Sequence, residues 1–374
     1  MGERRENPEF SWSNSRMRLF GNCKRAYFYQ YYGSHNGWED DASQEQVDAY
    51  RLKHAISLPL AFSDALGKAI SAYIKSPADI DPDVFELIIN RYLHLSCLKA
   101  KIKNVWMSSP KKNPMLIELL NYSEGYKSPK VKEIISSVKK RIPLSITNFF
   151  KTQTAKEIKD GAEIVEAYGR LLPNGSSPFS CGSFKQKTKK GGELIIYGRA
   201  DTVHKVGDKF IATMWHTTTK EELTAEDETL QSKIVAIYLS KRYALEFRKI
   251  EVRSVNLITG NTVSYTIDSK DEFMGIMKLI GQSIGWMEKL VENNDVSVNK
   301  PKDISEFPQR EDHKHCRNCQ YFRLCAANAK KKASATGTEA QKPPAATREV
   351  KEEAASSITP AYRGGSLRKQ APID

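Results

Sequence analysis

The sequence predicts a mixed α/β protein with a large helical N-terminal region and a disordered C-terminal tail. Three observations carry this. Apolar residues recur at helical spacing through most of the first 150 positions, between about 190 and 290 the apolar period switches between two and 3.6, and beyond Lys330 large apolar side chains almost vanish. The 374 residues, 40% apolar and 28% charged, are enough to bury one sizeable core. No run approaches the roughly 18 uninterrupted apolar residues of a membrane span. The start, Met1-Gly-Glu-Arg-Arg-Glu-Asn-Pro8, lacks an apolar signal core, so the expectation is a soluble, cytoplasmic protein without a membrane partner.

Taken in order, a helix is expected from Ser13, a good N-cap, with Met17, Phe20, Tyr27, Phe28 and Tyr31 giving it an aromatic face and Gly33 stopping it. Residues 46–75, 83–100, 112–122 and 130–141 also read as helices. Glu193 to Val203 reads as a strand, turned at Val206-Gly-Asp-Lys209 into a second strand, Phe210–His216. Ala225 to Tyr243 fits a helix with Leu230, Ile234, Ile237 and Tyr238 on one face. Lys249–Ile258 and Thr262–Ile267 form a further strand pair around Thr259-Gly-Asn261. Phe273, Ile276, Met277, Ile280, Ile284 and Met287 then mark an amphipathic helix. The folded domain is therefore 1–329, mainly helical over 10–150 and α/β over 151–329. The tail, 330–374, carries nine Lys/Arg against five Asp/Glu and too little apolar surface to offset its chain entropy.

Near the end of the folded part, Cys316, Cys319 and Cys325 read C-x2-C-x5-C. Thiolates at this spacing can point at one soft metal centre and need a fourth ligand from elsewhere. Cys23, in Phe20-Gly-Asn-Cys-Lys-Arg-Ala-Tyr-Phe-Tyr29, is a natural candidate, and a metal held by all four would clip the two ends of the domain together. Spacing leaves iron–sulfur and zinc open, since zinc could take three cysteines with His313 or His315. Cys97 and Cys181 read as small buried hydrophobes.

The net charge of +13 suggests a polyanionic partner, DNA foremost, against the plainer reading of a solubilising surface. Lys99, Lys101, Lys103, Lys111 and Lys112 cluster, followed by Lys127, Lys130, Lys132, Lys139, Lys140 and Arg141. With Trp106 and Tyr126 between them, they read either as a phosphate-tracking surface with stacking platforms or as a solvated helix face.

Four segments together resemble the PD-(D/E)XK nuclease superfamily in its iron–sulfur branch, that of the exonucleases of CRISPR adaptation and of recombination helicase–nucleases. They are Ser13-x-Ser-Arg-x-x-x-Phe-x-x-Cys23-x-Arg-x-Tyr-x-x-x-Tyr-x-Gly33 with Gly37-Trp38; Gly198-Arg-Ala-Asp201; Gln231 and Tyr238 with the following strand and turn; and the cysteine trio. The resemblance implies a restriction-endonuclease-like mixed sheet flanked by helices, and a 4Fe–4S cluster on Cys23, Cys316, Cys319 and Cys325. It also implies hydrolysis of phosphodiesters by Mg²⁺ or Mn²⁺ held by two carboxylates, with a lysine polarising the water. Asp201 matches the first carboxylate and metal ligand. Met214 falls on the second acid, His216 on the lysine, and Gly67 or Ser71 on an expected helical histidine. A thioether cannot replace a carboxylate for a hard cation, and a largely neutral imidazole is a poor copy of lysine.

The expectation is therefore a DNA-binding nuclease-like protein whose catalytic centre is largely lost. Gln231, Tyr238, Arg199, Lys139, Lys140 and Arg141 are its candidate nucleic-acid contacts. One alternative is an active nuclease with a migrated centre using Asp64, His216 or Lys220-Glu221-Glu222. Another is a structural partner of a DNA-processing nuclease or helicase.

Overall fold

The computed structural model describes residues 5–167, 182–187, 193–218 and 224–326. Helices dominate the first part. Ser13 accepts the Arg16 N–H and starts α1 (Asn14–Asn22). The expected single helix breaks at Cys23, whose backbone is extended and whose sulfur accepts the Ala26 N–H to open α2 (Lys24–Phe28). A wide helical turn, Tyr29–Gly33, follows.

The stretch read as one helix over 46–75 is two, α3 (Gln44–Lys53) and α4 (Leu58–Lys75). Ile56 separates them because its backbone pairs with the strand-like Met115–Ile117 segment, through N–H···O bonds of 2.8 Å in each direction. Ser43 and Gln46 form a capping box on α3, and Ser57 with Pro59 starts α4. Next come α5 (Pro82–Lys99), α6 (Lys103–Ser108), α7 (Ile117–Asn121), α8 (Pro129–Lys151) and α9 (Gln153–Lys159). Helix α8 runs ten residues beyond its expected end, through Pro143, because Ile142, Ile146 and Phe149 keep an apolar stripe against the core.

Two sheets follow. Strands β1 (Ser11–Trp12), β3 (Ser183–Lys187) and β4 (Glu193–Tyr197) make a three-stranded sheet in the order β1-β4-β3. Strands β2 (Glu163–Ala167), β5 (Thr202–Val206), β6 (Lys209–His216), β7 (Ile250–Asn256) and β8 (Thr262–Tyr265) form a mixed sheet in the order β2-β5-β6-β7-β8. Only β6 and β7 are parallel there, and helix α10 (Ala225–Tyr243) makes the crossover between them. Helix α11 (Lys270–Glu288) completes the regular elements, and no helix among the described residues is long and apolar enough to cross a membrane.

The strand expected over 193–203 is cut in two at Gly198–Asp201, and its halves enter different sheets. Gly198 donates to the Gly182 carbonyl at 2.7 Å, and it packs directly on α10. A polar network pins α9 to the mixed sheet. Glu157 bonds His204 Nε2 at 2.7 Å and takes two bonds from Arg253, while Thr154 meets Thr213 at 2.9 Å. Burial opposes the charge on Glu157, but Arg253 and then His204 outweigh it and leave its pKa below the ordinary value.

A methyl group at Gly198 would sit 2.6 Å from Ile234 Cγ2 and 2.7 Å from the Ile234 carbonyl oxygen. The carbonyl belongs to α10 and cannot swing aside. Gly198→Ala is expected to destabilise the protein by about 2 kcal/mol, read as a lower urea midpoint at unchanged slope.

Candidate functional site

The mixed sheet and α4 enclose a small cavity of about 30 Å³, room for a water molecule or two. Ser63, Asp64, Gly67 and Ser71 line it from α4, at the three-to-four-residue spacing that puts side chains on one helix face. Asp201 and Trp215 line it from the sheet, and Leu66, Ile70 and Ile74 supply apolar wall. The Asp201 N–H bonds the Thr213 carbonyl at 3.0 Å, and its Oδ2 accepts the Trp215 N–H at 2.9 Å. Burial pushes the Asp201 carboxyl up, only partly offset by that N–H and by the Arg199 charge. The Trp215 ring lies edge-on to Phe149, centroids 5.4 Å apart.

Strand alternation decides what faces this cavity. Thr213 and Trp215 project toward α8 and α9, as their contacts with Thr154 and Phe149 show. Met214 and His216 therefore project to the other face, where α10 packs. Met214 is 4% exposed, within the apolar core, and neither residue lines the cavity. The sequence-matched positions Asp201, Gly67 and Ser71 thus come together, joined by Asp64, while Met214 and His216 stand apart. Lys220, Glu221 and Glu222 lie outside the described residues, as do Cys181 and the tail from 330.

As a seat for Mg²⁺ or Mn²⁺ the cavity offers the right donor class, oxygen, but only two carboxylates. No lysine lines it. Among the described residues, no three His, Cys, Asp or Glu side chains are grouped as metal holders.

Cys23, Cys316, Cys319 and Cys325 lie in one neighbourhood, where each of the last three thiols feels the charge of Cys23, but among the described residues their side chains are not drawn together into a metal-holding group. Burial pushes the Cys319 thiol up to about 12, with the neighbouring cysteines adding, and the Cys325 thiol up to about 11. Gln309 donates to the Cys325 sulfur at 3.0 Å. By residue type, four sulfurs would be a soft donor set suited to iron–sulfur or zinc. The His313 and His315 side chains are outside the described ones.

The segment carrying these thiols is tied to both ends of the domain. Arg25 bonds the Phe307 carbonyl at 2.7 Å, Phe28 packs on Phe307 and Tyr29 on Tyr321. On the other side Asn121 of α7 donates to the carbonyls of Arg317 and Cys319 at 2.7 and 3.0 Å. Three residues earlier, the buried Glu118 carboxylate accepts the Leu58 N–H at 2.9 and 3.1 Å, holding the first turn of α4. Sequence reading missed Glu118; its only signal is one acid within the apolar run Leu116-Ile-Glu-Leu-Leu120.

The expected nucleic-acid contacts divide. Lys139 and Lys140 are exposed on α8, and Arg141 donates to the Thr217 carbonyl at 3.1 Å, past the end of β6. Gln231 is half-buried on α10 and lies off the cavity. Tyr238 is fully buried, its hydroxyl donating to Glu166 at 2.6 Å, so it is a core residue and not a contact. Arg199 is buried beside Asp201, also away from the surface. Of the expected stacking rings, Trp106 is in the core and Tyr126 is half-buried, bonded to the Cys97 carbonyl. Cys97 itself is half-buried against the core.

The chain matches no model of a known protein family, and no curated protein matches it either.

Burial pushes Glu118 up to about 7, more than its bonds to Leu58 offset. The folded state therefore holds a proton that the unfolded chain releases near pH 4.5. This group's contribution to stability falls as pH rises through that window and stays lost above 7. Relative to wild type, Glu118→Gln is expected to gain on the order of 3 kcal/mol between pH 4 and pH 8. Urea unfolding of both proteins at the two pH values checks this.

Proposed function

We propose that the chain is a PD-(D/E)XK nuclease-like protein that binds DNA without cleaving it. The observation that carries this reading is the direction of β6. Asp201 and Trp215 line the cavity, but Met214 and His216, on the same strand as Trp215, are turned to the opposite face. Phosphodiester hydrolysis by a hard cation needs fixed carboxylates and a group to polarise water, and here the sheet supplies Asp201 as its one carboxylate and no lysine lines the cavity. The mixed sheet flanked by helices supports a restriction-endonuclease-like core. Exposed lysines on α8, with the net charge of +13, support a phosphate-binding surface.

A 4Fe–4S cluster is the group that Cys23, Cys316, Cys319 and Cys325 would hold. Its thiolate bonds would fasten the α1–α2 corner to the C-terminal segment. The protein's own contribution is to carry these four half-buried cysteines in one neighbourhood, and Gln309 offers an N–H to one of them. Zinc is the alternative for the same sulfurs.

One observation favours a second reading. Asp64 of α4 shares the cavity with Asp201, so two carboxylates from different elements face one space. That is the arrangement of a nuclease centre whose second acid has moved from β6 to α4.

Labelled single- and double-stranded DNA, offered to anaerobically purified protein with Mn²⁺, separates the two. The expected result is binding without products, with affinity falling steeply as salt rises. Replacing Lys139 and Lys140 by alanine should reduce the slope of log K against log salt by about 1–2. Mn²⁺-dependent cleavage that disappears in both Asp201→Ala and Asp64→Ala would establish the second reading and overturn the first. The cluster has its own check: Cys23→Ser is expected to lower bound iron sharply and the melting temperature by on the order of 5 °C or more. Unchanged iron content and melting temperature would remove Cys23 from the ligand set.

A further inference from the structure

Helix α5 is apolar on two opposite faces. One turns to the core: Phe85 and Ile89 are fully buried, and Phe85 stacks on Phe149 of α8 with centroids 4.8 Å apart. Through this side the helix packs on α4 and α8. The other face carries Val84, Leu87, Ile88, Arg91, Leu95 and Leu98, at the three- and four-residue steps of a single helix stripe. Leu87 is 67% exposed and Leu95 and Leu98 are 40% exposed each, while Val84 and Ile88 are half-buried. Ile102, just past the helix, is exposed as well. Lone surface leucines are ordinary, but an apolar stripe along a whole helix marks a surface that binds something.

Charge along α5 says what that partner is. Asp79, Asp81, Asp83 and Glu86 lie at its start and Lys99, Lys101 and Lys103 at its end, all of them exposed. Among the described residues none of these charges forms an ion pair within the chain. Asp81 caps the helix by accepting the Val84 N–H at 2.8 Å, and the Lys101 ammonium sits over the Tyr126 ring at 5.5 Å. Acid first and lysine last suits the dipole of the helix itself. It also decides how a second α5 can approach. A parallel partner would set acid against acid and lysine against lysine, whereas an antiparallel one sets each acidic start beside a basic end. Electrostatic complementarity selects the antiparallel arrangement.

We infer that α5 docks antiparallel on α5 of a second copy of this chain, about a two-fold axis near Arg91. Such an interface is self-complementary, as a two-fold axis requires. With the axis there, Leu87 comes opposite Leu95 of the second copy and Val84 opposite its Leu98. The acids from Asp79 to Asp83 then face the lysines from Lys103 to Lys99. The same register brings the two Arg91 side chains together, the one unfavourable pairing on the stripe. The 18 residues of α5 span about 27 Å. One helix from each copy buries less than the roughly 1,200 Å² of a standard interface, so the dimer is weak and dissociates at micromolar concentration. This inference does not rest on the DNA reading; it gives Lys99, Lys101 and Lys103 carboxylates for partners in place of phosphates.

Sedimentation of the full-length protein over a concentration series reaching about 200 µM tests it. Wild type is expected to pass from monomer to dimer within that range. Leu95→Lys should weaken the dimer about tenfold or more, since the two-fold axis counts the change twice. Arg91→Leu should tighten it about tenfold, by removing the like-charge contact and adding apolar surface. Both positions are exposed in the monomer, so in dilute solution each variant should melt within about 2 °C of wild type. A charge exchange then checks the direction. One variant carries Asp79→Lys and Asp83→Lys, the other Lys99→Glu and Lys101→Glu, with Asp81 left to cap the helix. Each alone should stay monomeric, its two ends now alike, and the two mixed should pair as a heterodimer.

A wild type that remains monomeric at the highest concentration would overturn the inference and leave the stripe to a different partner or to residues 330–374. A dimer that Leu95→Lys and Arg91→Leu leave unchanged would place the interface elsewhere and overturn it equally. If each charge variant dimerises alone as well as wild type does, and the two show no preference for each other when mixed, the antiparallel arrangement is wrong.

Discussion

The joint between the two ends of the chain is the constraint on which the rest of this structure depends. The C-terminal segment from Phe307 to Cys325 packs on the aromatic corner formed by α2 and the turn after it, and it also receives two bonds from Asn121 on α7. Because α7 is a single short helix, what holds Asn121 also holds Glu118, and Glu118 accepts the Leu58 N–H in the first turn of α4. Helix α4 in turn supplies one whole wall of the cavity at Asp201. A short run of hydrogen bonds therefore leads from the cysteine segment to the candidate site. Closing so long a loop costs chain entropy, and packing of Phe28, Tyr29, Phe307 and Tyr321 repays part of it.

Much of this was legible in the sequence, and the exceptions have physical causes. The helix over 225–243 and the pair of strands flanking Gly207 stand out because one strong period runs through each, and Gly207 takes the left-handed conformation that its turn needs. Strand β3, Ser-Phe-Lys-Gln-Lys, carries one apolar residue, and β1 has only two residues, so neither shows a period. The break at Gly198–Asp201 was hidden for a different reason: both halves are apolar, and only the close approach of Ile234 shows why the chain must change sheets there. Pattern gives the elements, while their packing partners decide where one ends.

The candidate site divides in the same way. Asp201 and the four cysteines could be singled out because their chemistry is unusual for their setting. Tyr238 and Arg199 could not be told from surface contacts, since a tyrosine on a helix reads the same whether its hydroxyl meets solvent or Glu166.

The proposed function requires a metal at the cysteines and none between Asp64 and Asp201. Anomalous diffraction from a crystal soaked in Mn²⁺, recorded at the iron and manganese edges, tests both halves together. The account predicts an iron peak among Cys23, Cys316, Cys319 and Cys325, and no manganese peak between Asp64 and Asp201. A manganese peak bridging the two aspartates, or no metal at the cysteines, would contradict it.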